Sequence, residues 1–406
     1  MKKIALMASL DTKLDETLYA KGIIERNGCQ AVVVDISTKN ILEGKSDIGP
    51  VEILQCAGIS WQEFDSLDKA NRIDTMAEAI IKFMPELYFH HGFDGIVSIG
   101  GGQNARMAAA AMKELPFGVP KILASSLACG KRTMEQYVGT KDIMVMHTVA
   151  DIFGLNDITR TVITNACNAM TGMVSNDAHS KQSTMGKTRL AATALGITSK
   201  CIEGVLNQLP DSKFEKTCFH ANGVGGRCME EAIENDRFDL VIDANLHEIT
   251  CEMLGGYCTG SQGRLLKAIE KRVPLIVVPG ALDMLDFFID EEGKGLPSNI
   301  SERKTVYHNS SIAHTKVFPE EAKVLAETVC SRLNRAESPV TLILPLKGFC
   351  EAAAPGGGMY YPQTDEMFIS TFKKNLKKEI KIVEVDCNIN DVVCQKAIIA
   401  EVMQLI

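Results

Sequence analysis

The residues with most capacity for chemistry sit in short polar or glycine-rich segments, each beside an apolar run. Asp11-Thr12-Lys13 follows the run 4–9. An aspartate there can hold Mg2+ or its water, a threonine can donate to a phosphate, and a lysine can neutralise one. The same residues also suit a helix start, with Asp11 or Thr12 as N-cap and Asp15 and Glu16 in the first turn. Gly100-Gly101-Gly102-Gln103-Asn104 follows the run 95–99 and opens an alanine-rich helix. Glycine lets backbone approach a ligand closely, and a helix start offers N–H groups and a positive dipole end, which suit phosphate or carboxylate. The segment is neither Gly-x-Gly-x-x-Gly nor a P-loop, and a tight strand-to-helix turn would use the same glycines. Ser125-Ser126 and Tyr137-Val138-Gly139-Thr140-Lys141-Asp142 add polar groups at expected strand ends, where turn chemistry alone would also place them.

The second half carries its own set. His220 ends a run ahead of the glycine loop Asn222-Gly223-Val224-Gly225-Gly226. Asp243 ends the next, with Asn245, His247 and Glu248 just after, and Asp283 and Lys347 follow two later runs. Histidine, carboxylates and lysine at strand ends are what general acid–base or metal-assisted chemistry requires. His220, Asp243, Asp283 and Lys347 are therefore the catalytic candidates, with a structural or merely exposed role as the alternative for each. Metal ligands stay unknown, because no Cys-x-x-Cys occurs and the cysteine spacing supports no zinc site. Gly-x-Ser-x-Gly is absent, so no nucleophile elbow is present; Gly260-Ser261-Gln262-Gly263 reads as a helix start. His90-His91 reads as a helix end, where a cation complements the dipole.

Such segments need a scaffold that gathers strand ends. In the first half, strands are expected at 4–9, 31–36, 95–99, 122–125 and 144–147, and helices at 14–26, 73–89, 104–115 and 157–174. Residues 40–68 read as loop with a short helix. In the second half, strands are expected at 190–195, 217–221, 240–243, 275–279, 340–344 and 382–385. Helices are expected at 227–234, 262–271, 320–333, 364–376 and 392–404. The alternation is the α/β signature of doubly wound parallel sheets, whose ligands bind beyond the carboxyl ends of the strands. The polar stretch 175–183 reads as a linker between domains 1–180 and 188–406. The halves resemble each other locally, 4–10 matching 190–196 and 95–102 matching 217–226, which suggests a duplicated unit. Residues 287–318 show little periodicity and contain His308, Asn309, His314 and Thr315, so they read as a long lid.

Composition narrows the functions. With 43 Lys+Arg against 51 Asp+Glu, the net charge of −8 offers no excess to neutralise a phosphate backbone, so no nucleic-acid partner is expected. A hydrophobic content of 46% over 406 residues excludes disorder and supports two cores. No apolar run reaches the roughly 18 residues of a membrane span, and the start Met1-Lys2-Lys3 leads into too short a run for a signal peptide. The 13 scattered cysteines are then expected as reduced thiols in a cytoplasmic protein.

Taken in order, several of these segments resemble a known family. They are Asp11-Thr12-Lys13, Gly100-Gly101-Gly102, Tyr137-Val138-Gly139-Thr140, His220-Ala221-Asn222-Gly223-Val224-Gly225-Gly226 and Pro279-Gly280-Ala281-Leu282-Asp283-Met284. Pro345-Leu346-Lys347-Gly348 and Ala354-Pro355-Gly356-Gly357 complete the series. The chain is similar, over nearly its whole length, to the ATP-binding family typified by the N-terminal inhibitory domain of the tomato mosaic virus resistance protein. The resemblance implies two Rossmann-like subdomains, ATP binding in the first, and a homodimer. Carried over by motif, ATP with Mg2+ would meet Asp11, Thr12, Lys13, Gly100, Gly101, Gly102, Gln103, Asn104, Thr140 and Lys141. The plant protein carries a further barrel-type domain; if the two act together, the partner here would be a separate barrel-type protein.

Three functions follow as expectations. One is an ATP-dependent enzyme acting on a small-molecule acceptor held at the subdomain cleft near His220, Asp243 and Asp283. Another is a nucleotide-sensing dimer without turnover. The third is a metal-assisted hydrolase, lyase or isomerase of sugar-like acids in the second half.

Overall fold

The computed structural model describes residues 1–127, 135–175, 186–260, 262–289 and 296–406, with backbone alone at His91. The expected linker residues 176–183, Ser261 and the segment 290–295 lie outside the described residues. The chain divides into two compact units, Met1–Gln182 and Ser183–Ile406.

Unit 1 runs β1 (Lys3–Ala8), α1 (Leu10–Arg26), β2 (Gln30–Asp35), α2 (Pro50–Cys56), α3 (Trp61–Asp65), α4 (Lys69–His91), β3 (Gly95–Gly100), α5 (Gly102–Lys113), β4 (Lys121–Ser125), α6 (Glu135–Val138), β5 (Met144–His147) and α7 (Asp157–Ser175). Its five strands form a parallel sheet in the order β2-β1-β3-β4-β5. Side chains alternate across a strand, so β1 serves two cores at once. Ile4, Leu6 and Ala8 pack with Ile23 and Ile24 of α1 and Met170 of α7. Ala5 and Met7 pack with Met84 of α4 and Met112 of α5 on the other face. The central strand β3 is buried throughout, as expected of a parallel strand covered on both faces.

Unit 2 runs β6 (Thr188–Ala194), α8 (Ser199–Gln208), β7 (Phe214–His220), α9 (Val224–Glu234), β8 (Leu240–Asp243), α10 (His247–Leu254), α11 (Leu266–Glu270) and β9 (Leu275–Val277). It continues with β10 (Met284–Phe288), β11 (Thr305–Asn309), β12 (Ile312–Lys316), α12 (Pro319–Leu333), β13 (Val340–Pro345), α13 (Pro362–Asn375), β14 (Lys381–Val385) and α14 (Val392–Gln404). The main sheet is parallel in the order β14-β13-β9-β8-β6-β7. Read from the first strand of each unit, both sheets follow the order 2-1-3-4-5, and unit 2 adds a sixth strand. Two Rossmann-like subdomains are therefore present, with the order reversing beside β1 in one and beside β6 in the other.

Three local expectations need correction. The topological counterpart of β3 is β8, not β7, so the glycine loops after β3 and β7 occupy different places despite their similar sequences. The stretch 287–318 is not a structureless lid. Its described residues supply most of an antiparallel sheet, β10-β12-β11, inserted between β9 and β13. The strands are only five residues long and carry polar residues such as His308, Asn309 and His314, which hid their periodicity. Finally, α1 begins at Leu10 with Ser9 at the N-cap position and departs from helical geometry at Lys13. The buried carboxylate of Asp35 accepts the Leu10 N–H at 3.1 Å, which draws the helix start forward from Asp11 and Thr12.

The loop after β7 depends on glycine at one position in particular. Gly223 sits at φ +95°, and a Cβ there would collide with the Thr259 carbonyl oxygen. Gly223→Ala should lower stability by roughly 3 kcal/mol in chemical denaturation. Gly101→Ala, at negative φ with open space around it, should cost under about 1 kcal/mol.

Candidate functional site

In doubly wound sheets the ligand crevice opens where the strand order reverses, beyond the carboxyl ends of the two strands. In unit 1 these are β1 and β3. Asn104, in the first turn of α5, stitches them together. Its Oδ1 accepts the Ser9 N–H at 3.0 Å, and its Nδ2 donates to Ser98 Oγ at 2.9 Å. The stitch needs glycine at 100, because a Cβ there would stand 2.6 Å from Asn104 Cγ. Gly101 is different: a Cβ would meet nothing nearer than Asp151 Oδ1 at 3.9 Å. Gly101 is also the N-cap of α5, and no side chain among the described residues caps that helix. Its first N–H groups thus face a half-buried, accessible surface at Gly101 and Gly102.

The neighbouring candidates fall on both edges of the sheet. Asp11 lies beside this crevice, with Oδ2 accepting the Lys39 N–H at 3.0 Å and its own N–H donating to Ser37 Oγ at 2.9 Å. Thr12 is exposed and its hydroxyl donates to Ser9 O at 3.3 Å; Gln103 is exposed at the start of α5. Lys13 stands at the kink of α1. Asp151, after β5, accepts from Ser126 Oγ at 3.3 Å and adds a carboxylate that the sequence reading omitted. Thr140 and Lys141 do not join this set. They directly precede β5, whose Met144 pairs with Ile122, so they lie at the amino edge of a parallel sheet whose crevice is at the carboxyl edge.

In unit 2 the equivalent positions are filled by the protein itself. Asn245, the analogue of Asn104, donates from Nδ2 to Thr198 Oγ1 at 3.0 Å and caps His247 N through Oδ1 at 3.2 Å. Asn245, Leu246, His247 and Glu248 are all 0% exposed. The Arg264 guanidinium, also fully buried, donates through Nη2 to Asp243 Oδ1 at 2.7 Å and to Asn245 O at 3.0 Å. Its Nε lies 3.0 Å from Glu248 Oε2. Burial pushes the Asp243 carboxyl up, against the pull of Arg264. Glu248 in turn accepts the N–H groups of Gly223 at 2.5 Å and Gly226 at 3.0 Å. The start of α9, which resembles an anion site in sequence, is thereby occupied by a carboxylate from within the protein.

The four catalytic candidates do not form one constellation. Asp243 is held as described. Asp283 is buried with Oδ2 accepting from Lys316 Nζ at 2.6 Å, and the same ammonium donates to Asp365 Oδ1 at 2.6 Å. Burial lowers the Lys316 ammonium, but the two carboxylates outweigh it and hold it above its ordinary range. Asp365 is pushed up to about 6 by burial, despite Lys316. His220 is exposed on the edge strand β7. Lys347, also exposed, follows β13 and pairs with Asp386 at 3.0 Å. The β7 and β13 ends are four strand spacings apart, roughly 19 Å. Direct contact between His220 and Lys347 is thus excluded, and both aspartates serve buried ion pairs.

A cluster that the sequence reading missed lies between α10 and β10. Donor atoms of His247, Cys258 and Asp286 lie within 4.8 Å of one another, and each residue is buried. His247 Nε2 is 3.0 Å from Asp286 Oδ2, and the Cys258 thiol donates to the same oxygen at 3.0 Å. Cys251 adds a thiol 3.3 Å from His247 Nε2 that donates to Asp286 Oδ1 at 3.2 Å. Burial alone would lower the imidazole, yet Asp286 wins and holds His247 up to about 10. Burial likewise opposes the Asp286 charge, but His247 holds that carboxyl below its usual range. Chemically, the set can bind a transition metal or hold a buried ion pair. The signal was present as His247-x-x-x-Cys251, whose spacing places both side chains on one helix face, followed by Cys258. A search for Cys-x-x-Cys passes over it.

Two outcomes follow from the buried charges. Lys316→Met should cost about 3–5 kcal/mol in denaturant titration, because Asp283 and Asp365 lose their shared cation. Glu230 accepts the N–H groups of Leu265 and Lys267, and burial pushes it up to about 7 against the pull of Arg264. A carboxyl raised on folding contributes stability that is fully present below its unfolded pKa, ordinarily 4.5, and is lost as pH rises through about 7. Glu230→Gln should therefore flatten the fall of the melting temperature between pH 5 and 8, read as the wild-type-minus-variant difference.

Comparison with known proteins agrees with this two-unit organisation. The Uncharacterised protein family (UPF0261) N-terminal domain matches residues 2–179 and its C-terminal domain matches residues 187–406. A UPF0261 protein of Clostridium tetani is 31% identical over 96% of this chain and 95% of its own length. The UPF0261 protein RA0729 of Rhizobium meliloti is 27% identical over 96% of each. The ToMV resistance protein Tm-1(GCR237) of Solanum lycopersicum is 28% identical over 89% of this chain, which spans 50% of the tomato protein. A chain with both domains matched in order and a relative aligned from end to end belongs to the uncharacterised protein family UPF0261.

Proposed function

We propose that unit 1 is a nucleotide-binding module that holds the phosphates of ATP, with Mg2+, beyond the carboxyl ends of β1 and β3. The observation that carries this reading is the contrast between the two order reversals. In unit 2 the loop after β8 is fully buried and plugged by Arg264. In unit 1 the equivalent helix start is accessible, uncapped by any described side chain, and open where Gly101 would carry a Cβ. Uncapped helix N–H groups are suited to a phosphate. The Asp151 carboxylate beside Gly101 would repel a bare phosphate, so Mg2+ accompanies it there, and Asp11 borders the crevice at the β1 end. Thr12 and Lys13 complete the phosphate surroundings, while Thr140 and Lys141, at the other edge of the sheet, take no part.

The output of binding is set apart from unit 2 acid–base chemistry, because Asp243 and Asp283 are committed to buried cations. An ATP-dependent enzyme would consume ATP only with its small-molecule acceptor present. A nucleotide-sensing homodimer would bind without turnover and change its association state. Calorimetric titration with ATP and Mg2+ tests the site itself. Wild type should bind in the micromolar range. Gly101→Val, whose side chain fills the open position without a backbone clash, should weaken binding at least tenfold while leaving the melting temperature within a few degrees. Equal affinity in the two proteins would place the nucleotide elsewhere.

A further inference from the structure

Residues His247, Cys251, Cys258 and Asp286 converge from three pieces of unit 2. His247 and Cys251 project from successive turns of α10, Cys258 from the following loop, and Asp286 from β10. All four are at most 4% exposed. We propose that they form a closed, structural transition-metal centre, with zinc as the ion, bound through His247 Nε2, the two thiolates and Asp286 Oδ2. Thiolate, imidazole and carboxylate together are the donor types zinc selects, and four ligands without an open position mark a structural site.

His247, Cys258 and Asp286 bring their donor atoms within 4.8 Å of one another, and Cys251 borders that group through His247 Nε2 and Asp286 Oδ1. A tetrahedron of Zn–N, Zn–O and Zn–S bonds has edges of about 3.3–3.7 Å. The donor pairs here stand 3.0 Å apart for His247–Asp286 and Cys258–Asp286, and 3.3 Å apart for His247–Cys251. For these three pairs an outward movement of a few tenths of an ångström, as the hydrogen bonds give way to metal bonds, reaches those edges.

The surroundings orient the donors as metal sites require. His247 Nδ1 lies 3.1 Å from the Met284 carbonyl, so its N–H has an acceptor there and Nε2 faces inward, where a metal would replace its proton. Asp286 Oδ1 accepts the N–H groups of Tyr257 and Cys258 at 3.2 and 3.3 Å, which leaves Oδ2 facing the imidazole and Cys258. Gly256 permits the closeness of loop and helix, because a Cβ there would press 2.5 Å from Cys251 Sγ. His314, paired across the strands with Asp286, has a buried Nδ1 without a hydrogen-bond partner among the described residues. A nucleophilic thiol would need access to solvent, and Cys258, at 3% exposure, has almost none. Binding would pin α10, the helix that presents Glu248 to α9, onto the inserted sheet.

Metal analysis of wild-type protein, purified without chelator and without a metal-affinity step, tests the proposal. About one zinc per chain is expected. Protein stripped of metal should take up one Co2+ and show tetrahedral visible bands with thiolate-to-cobalt charge transfer. Cys258→Ser and Asp286→Asn should lose or strongly reduce both signals, whereas Cys56→Ser, a cysteine of unit 1, should keep them. Where a variant fails to fold, mercurial titration of folded wild type decides, since zinc should leave in step with thiol modification. A folded wild type that carries no stoichiometric metal and takes up no cobalt overturns the proposal. So does metal that survives in both Cys258→Ser and Asp286→Asn.

Discussion

A helix that begins at the edge of a sheet leaves N–H groups that must find acceptors, and this requirement shapes both halves of the chain. In unit 2 the requirement is met internally. Glu248 reaches from α10 to the glycine N–H groups at the start of α9, and Asn245 caps α10 itself. The carboxylates drawn into this interior then need cations. Arg264 answers Asp243 and Glu248 there, and Lys316 answers Asp283 and Asp365 nearby. In unit 1 the start of α5 has no such side chain among the described residues, and Asn104 instead spends its amide joining β3 to the end of β1. One unit is sealed where the other is open, although both are built on the same strand order.

The difference suggests how a repeated architecture can divide its labour. Burying Asp243, Glu248 and Arg264 together costs desolvation, which only mutual pairing recovers. Such a network fixes geometry and favours a scaffold over a reacting centre. Among the described residues, the accessible loop after β3 carries no comparable network of buried charges. The cluster around Asp286 belongs to the sealed unit and sits next to the helix that does the sealing. A metal there would reinforce the same rigidity.

Much of the architecture is legible in the sequence because parallel strands buried on two faces read as apolar runs. Residues 240–243, 144–147 and 392–404 form elements with the expected bounds. The failures share a cause. Residues 305–316 form short strands of mixed polarity, and α10 buries His247, Glu248 and Thr250, so neither shows the usual pattern. Loops could be assigned to strands but not to edges of the sheet. Hence Thr140 and Lys141 read as crevice residues although they precede β5 rather than follow it. Polar residues at strand ends read as catalytic for a similar reason, since nothing local shows that Arg264 waits 21 positions beyond Asp243 or that Lys316 waits 33 beyond Asp283. The glycines at 100, 101 and 102 look alike in sequence, yet packing against Asn104 explains the first, while a Cβ at the second would meet nothing nearer than Asp151 Oδ1 at 3.9 Å.

The most direct test follows the backbone N–H groups themselves. Amide resonances of deuterated protein should be recorded by transverse-relaxation-optimised NMR as ATP and Mg2+ are added. The central claim predicts that Gly101, Gly102 and Gln103 shift in a saturable way while Gly223 and Gly226, already bound to Glu248, stay in place. Saturable shifts at Gly223 and Gly226 with none at Gly101–Gln103, or no saturable shift at either helix start, would contradict it.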